Sequence, residues 1–239
     1  MNNILIIFKK ELRSYFNSPI AYIFVIVFLV VSNWLFFSRF FLSGQVSMRS
    51  FFVTLPWIFL IILPALSMRL WAEEKRQGSI ELLLTLPIKD IHAVMGKFLA
   101  AFIFMLFTIA LTLPTAFTVA SLGNLDRGTV ASSYMGTLLL AGSFLAFGAF
   151  LSSLTRNQIV AFLLTLVFSF ILVIIGQDYV LAPTSGFVAG VLNFISLSTH
   201  YHVMIRGLQD IGDIVYFIGF IFLFLFLNVK VLQSRYYKG

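Results

Sequence analysis

Apolar runs as long as a bilayer is thick recur along this chain, and they decide its fold class before anything else does. A helix needs roughly 20 apolar residues to cross the hydrocarbon layer. Residues 20–38, 51–71, 91–121, 130–154, 158–176 and 212–231 each supply such a run. The third contains Pro114, which predicts a kink or a partly extramembrane end. The fourth is rich in small residues, with Gly142 and Ala146 in small-xxx-small spacing. Small side chains let helix backbones approach closely in lipid, so this span is expected inside the bundle. The expected class is all-α, a polytopic membrane protein with six transmembrane helices forming one domain over residues 1–239.

Composition agrees. The chain is 60% hydrophobic and 10% charged, against about 45–50% and about 25% in soluble domains. Its 29 phenylalanines would leave a water-soluble fold with apolar surface it could not cover. There is no cysteine, which excludes disulfides, zinc–thiolate sites and cysteine nucleophiles. A net charge of +7 suits a nucleic-acid binder, but here the charges sit between apolar runs, and no nucleic-acid partner is expected. They set orientation instead. With both termini cytoplasmic, the inner segments hold Lys9, Lys10, Arg13, Arg69, Lys75, Arg76, Lys89, Lys97, Arg156, Lys230, Arg235 and Lys238. The outer segments hold only Arg39, Arg49, Arg127 and Arg206. No small-residue cleavage site follows the first run, so an uncleaved span is expected there.

Residues 1–17 read as an amphipathic helix in the cytoplasmic interface. Ile4, Leu5, Phe8, Leu12, Tyr15 and Phe16 share a face, Lys9, Lys10, Arg13 and Asn17 lie largely opposite, and Ile6 and Ile7 break the pattern. The plainer alternative is a charged flank that only sets topology.

The segment 73–89 follows the second span. Gly78 breaks the chain, Ser79 can cap a new helix, and Glu81 sits in its first turn where the dipole favours an acid. Pro87 ends it. A two-turn helix bearing Leu82, Leu83, Leu84 and Leu86 outside the membrane needs cover. Either its own bundle or a groove on a partner supplies it.

The stretch EEKRQGSIELLLTLPIKDIHAVMGK resembles the cytoplasmic segment of type-2 ABC exporter permeases, through Glu73, Glu74, Gly78, Ser79, Glu81, Leu82, Leu83, Pro87, Gly96 and Lys97. LSSLTRNQIVAF at 151–162, with Arg156 and Asn157, resembles the family's second cytoplasmic loop. The tail from Ser196 to Tyr237 resembles the branch associated with gliding motility and copper-enzyme maturation. The resemblance implies an ATP-driven exporter's permease in a bacterial inner membrane. Residues 79–86 would be the helix that docks on an ABC ATPase subunit, and Glu73 and Glu74 would join a cytoplasmic gate network. Their alternative is ordinary interfacial charge, paired with Lys75, Arg76 or the first helix's basic residues. Six spans make half a pore in this family, so a second permease copy or paralogue is implied. No cofactor is expected in this chain: Gly96-Lys97 is followed by Phe98 and lacks the upstream glycine of a phosphate-binding loop. ATP and Mg would belong to the partner subunit.

The loop 177–211 is long, and Phe187, Val188, Val191, Leu192, Phe194 and Ile195 are apolar enough to dip into the outer leaflet. Short re-entrant helices are expected. Arg206 and Asp210 are four apart and read as a structural pair on one helix face. His200, His202 and Met204 alternate, which suits copper only in an extended segment. With a helix expected there, no metal site is assigned. No GxSxG, HExxH or paired-carboxylate spacing marks an enzyme. The rival readings are a membrane scaffold without transport and a membrane-embedded enzyme.

Overall fold

A computed structural model of the chain describes residues 3–78, 89–183, 186–208 and 210–234. All regular structure among them is helical. The first helices are α1 (Asn3–Asn17), α2 (Pro19–Ser43), α3 (Arg49–Ser67), α4 (Arg69–Gln77), α5 (Asp90–Ala110) and α6 (Leu113–Ser121). They are followed by α7 (Arg127–Leu154), α8 (Gln158–Ile174), α9 (Asp178–Leu181), α10 (Gly186–Ile195), α11 (Leu197–Met204) and α12 (Ile211–Gln233).

Five helical stretches are long and apolar enough to cross a membrane: Pro19–Leu42, Arg49–Gln77, Asp90–Ser121, Arg127–Leu154 and Ile211–Gln233. The 17 residues of α8 extend about 26 Å at 1.5 Å per residue, the short end of the spanning range.

The bundle is built around α7, which packs on α3, α4, α5, α8, α11 and α12. Its small residues allow this. A Cβ on Gly148 would come within 2.1 Å of Ser67 Oγ, and one on Gly136 within 2.9 Å of Met204 Cβ. Gly142, Ala146 and most of their neighbours are buried. Aromatic pairs fill the remaining contacts, Phe147 on Phe224 at 4.8 Å and Phe28 on Phe59 at 5.9 Å between ring centroids.

The structure moves several expected boundaries. The second span does not end near residue 71: after a bend at Met68 it continues as α4 to Gln77. The bend leaves amides of the next turn to be satisfied from outside. Ser152 Oγ accepts from the Trp71 and Ala72 amides and donates to the Met68 carbonyl. The third span breaks at Leu111–Thr112, just ahead of Pro114, where the Thr112 hydroxyl donates to the Ile109 carbonyl. On α1, Ile7 is no exception to the buried face but its centre: it is 6% exposed and seats against Gly96. Leu5, placed on that face by its spacing, is 46% exposed.

Candidate functional site

The two ends of the bundle are held by different chemistry. At one end, α11 lies across the starts of α3, α7 and α12 and the end of α8. Tyr201 is fully buried and donates its hydroxyl to the Phe52 carbonyl at 2.9 Å, while sharing a hydrogen bond with Thr137 at 3.1 Å. Ser132 donates to the Met204 carbonyl at 2.8 Å and Ser198 to the Val173 carbonyl at 2.9 Å. The expected short helices of the 177–211 loop are present as α9, α10 and α11. Of these, α11 buries Leu197, Ser198, Tyr201 and Met204, and α10 buries none of its residues.

The predicted partnership of Arg206 and Asp210 does not form. α11 stops at Met204 and the chain turns through Gly207 at φ 82°, so the two residues never share a helix. Asp210 instead caps α12 by accepting from the Gly212 amide at 2.9 Å. Arg206 faces His202: burial, and then the charges of Arg206 and Arg49, hold that imidazole below its ordinary value. The helix also separates the alternating residues, because successive positions turn by about 100°. His200 bonds Asp213 at 2.6 Å and stacks on Tyr216 at 3.8 Å, whereas Met204 packs against Gly136.

At the opposite end an ion cluster joins three helices. Lys97, on α5, is almost completely buried, its side chain only 3% exposed. Its Nζ donates to Glu11 Oε1 on α1 at 2.9 Å and to Glu74 Oε1 on α4 at 2.7 Å. The Trp71 ring lies 5.2 Å from the ammonium. α1 is clamped onto α5 by the same face, through Tyr15 stacked on Phe104 at 5.2 Å and Phe16 edge-on to Phe107 at 5.4 Å. Lys75 points the other way and donates to the Ser153 carbonyl on α7.

This cluster borders the segment that resemblance singled out. Gly78, at φ 72°, ends α4. Ser79, Glu81, Leu82, Leu83, Leu84, Leu86 and Pro87 lie outside the described residues, and the chain re-enters at Lys89 ahead of α5. Of the two acids singled out, Glu74 is in the cluster, and Glu73 is half-buried and accepts from the Gln77 amide at 3.2 Å. The positive partner is therefore Lys97, and the first helix contributes an acid, Glu11. Arg156 and Asn157 are exposed between α7 and α8, Asn157 capping α8 through the Ile159 amide at 2.9 Å.

Sequence reasoning missed Lys97 and Glu11 as members of the site. The signal was available: a lysine two turns into an apolar helix, followed by Phe98 and Leu99, needs a buried acid to neutralise it. Counting it as a topology charge and as a position in the resembling stretch hid that need.

No curated protein matches the chain. Compared with protein families, residues 5–230 match the one described as ABC-2 family transporter protein. With nearly the whole chain matched, the apolar helices and the bundle find their place together: this is a multi-pass membrane permease of the ABC-2 transporter family.

Proposed function

We propose that the chain is the membrane half of an ATP-driven exporter, worked by a separate ABC ATPase that binds ATP and Mg and completed by a second permease copy or paralogue. Both termini and the Lys97 end face the cytoplasm of a bacterial inner membrane, consistent with the excess of Lys and Arg on that side. The observation that carries this reading is the position of the ion cluster. Residues 79–86, the proposed docking helix, lie in sequence between α4 and α5, and the bond from Lys97 to Glu74 ties those two helices together. A push on the segment is therefore delivered to both α4 and α5. It passes on to α1 through Glu11 and to α7 through Ser152, Ser153 and Lys75. At the far end, α11 and its hydroxyl bonds form the outer closure of the path. The finer assignment to the gliding-motility and copper-enzyme-maturation branch rests on the resemblance of residues 196–237 alone.

The test is Leu83→Asp. A leucine that leaves its groove gives up roughly 1.5–3 kcal/mol of burial, and a carboxylate buried there without a partner adds to the loss. Binding of the ATPase should fall by about a hundredfold or more, since 1.4 kcal/mol is tenfold. Expression and melting temperature of the permease should hold. Unchanged co-purification and unchanged stimulation of ATP hydrolysis would mean the segment packs on its own bundle. An ATPase that binds without any solute moving would favour the scaffold.

A further inference from the structure

Between α1, the junction of α3 with α4, and the start of α5 lies a cleft of about 330 Å³. Its walls carry three cations and three carboxylates: Lys10, Arg69 and Lys97 with Glu11, Glu73 and Glu74. The carboxylates are already engaged. Glu11 and Glu74 hold Lys97, and Glu73 accepts from Gln77. Of the remaining cations, one is unpaired and one is only loosely held. Arg69 makes no ion pair among the described residues, and its Nε is buried with no acceptor. Lys10 has one long contact, 3.6 Å to Glu11, and its side chain is 68% exposed. Ser14 and Ser18 also line the cleft, and the Ser18 side chain caps no helix.

A half-buried guanidinium with no ion partner, flanked by an ammonium and two hydroxyls, is a donor set for a tetrahedral oxyanion. The planar fork of arginine matches phosphate oxygens in pairs. The position favours a lipid as the source. α1 carries Lys9 and Lys10 beside exposed Leu5 and Ile6, as a helix lying in a headgroup layer does. Ser18 leads straight into α2, whose first turns expose Ile20 and Ile23 as an apolar surface for acyl chains.

We propose that this cleft binds the phosphodiester of a phospholipid headgroup, with Arg69 as its forked ligand, Lys10 at its mouth, and Ser14 and Ser18 donating to the remaining oxygens. Such a lipid bridges α1 to α4 on the side of the bundle where Lys97 already joins them. The proposal stands apart from the transport reading, since it needs neither an ATPase nor a solute.

The experiment is native mass spectrometry of the full chain, released from detergent and titrated with phosphatidylglycerol or phosphatidylethanolamine. Arg69→Gln should retain lipid about tenfold more weakly, the scale of one lost charge-assisted hydrogen bond. Arg69→Lys, which keeps the charge and loses the fork, should fall between. If Arg69→Gln melts early, the Ser14→Ala/Ser18→Ala pair replaces it, with a loss of about threefold expected. Inorganic phosphate separates the two sources. Stabilisation of the wild-type chain by phosphate at concentrations where lipid has no effect would overturn the lipid assignment. Equal retention by the wild-type chain and by folded variants would overturn the site.

Discussion

Lys97→Met tests whether the ion cluster holds the end of the bundle together. Methionine keeps the length and apolar stem that pack beside Trp71, so the change removes little but the charge. It leaves Glu11 and Glu74, both acceptors of the same ammonium, facing one another across the vacated position. Breaking a buried ion pair by deleting one partner costs about 3–5 kcal/mol. The glutamate side chains keep 15% and 16% of their exposure, so water still reaches them and about 3 kcal/mol is expected. At about 2–4 °C per kcal/mol for a chain of this size, the melting temperature should drop by about 6–12 °C.

The companion variant is Lys97→Met with Glu11→Gln and Glu74→Gln. Removing a whole buried ionic set is often close to neutral, so most of the lost stability should return. The assay is thermal unfolding in detergent micelles followed by tryptophan fluorescence, with Trp71 as a reporter 5.2 Å from the altered charge. A single variant that melts within about 1 °C of the wild-type chain would refute the reasoning. So would a triple variant no more stable than the single one, because the loss would then come from packing.

Gly148→Ala places a Cβ 2.1 Å from Ser67 Oγ and 2.6 Å from Ser67 Cβ, forcing α7 away from α3. The expected cost is about 1–3 kcal/mol by the same melting assay, with partial recovery in Gly148→Ala/Ser67→Gly. Asp126 caps α7, and the hydroxyl of Thr129, with the Thr129 and Gly128 amides, holds its carboxyl below the usual range. Its contribution to stability is fully present above the ordinary carboxylate value and is lost as pH falls through the lowered one. Asp126→Ala should therefore destabilise the chain at neutral pH and leave a flatter melting profile between neutral and acid pH. An unchanged profile would show the cap to be idle.

The spans were legible because run length is read directly from the chain, and the lipid-sized requirement leaves little else for runs such as 130–154 to become. What failed were inferences that used spacing without a partner. Arg206 and Asp210 have helical spacing, but a glycine between them takes a left-handed conformation and ends the helix. The buried face of α1 was drawn from helical spacing alone, through Ile4, Leu5, Phe8, Leu12, Tyr15 and Phe16. The bare backbone at Gly96 instead admits Ile7 there, and Leu5 is left outside. The charges in AEEKR set the expected end of the second span at residue 71, yet each of residues 71–77 is a tolerable helix former and Gly78 is what ends the helix. Long-range pairing explains the cluster's invisibility: Lys97 lies 86 residues from Glu11 and 23 from Glu74.

The contrast between the two ends bears on which of them can move. The α11 end is held mainly by neutral hydroxyl-to-carbonyl bonds: Tyr201 to Phe52, Ser132 to Met204 and Ser198 to Val173. Such bonds weaken steeply once donor and acceptor separate by a few tenths of an ångström beyond about 3.2 Å. They define one geometry and resist sliding. At the other end the junction of α1, α4 and α5 is held by charge, whose attraction falls only as the inverse of distance. A shift of α4 or α5 that doubled the Lys97–Glu74 separation would still retain about half of that attraction at the same local dielectric. Lys97 also has a second carboxylate, Glu11, to follow it. If residues 79–86 take up the motion of an ATPase, the cluster lets α4 and α5 change their spacing without falling apart. The hydroxyl-bonded end then supplies the fixed frame against which they move.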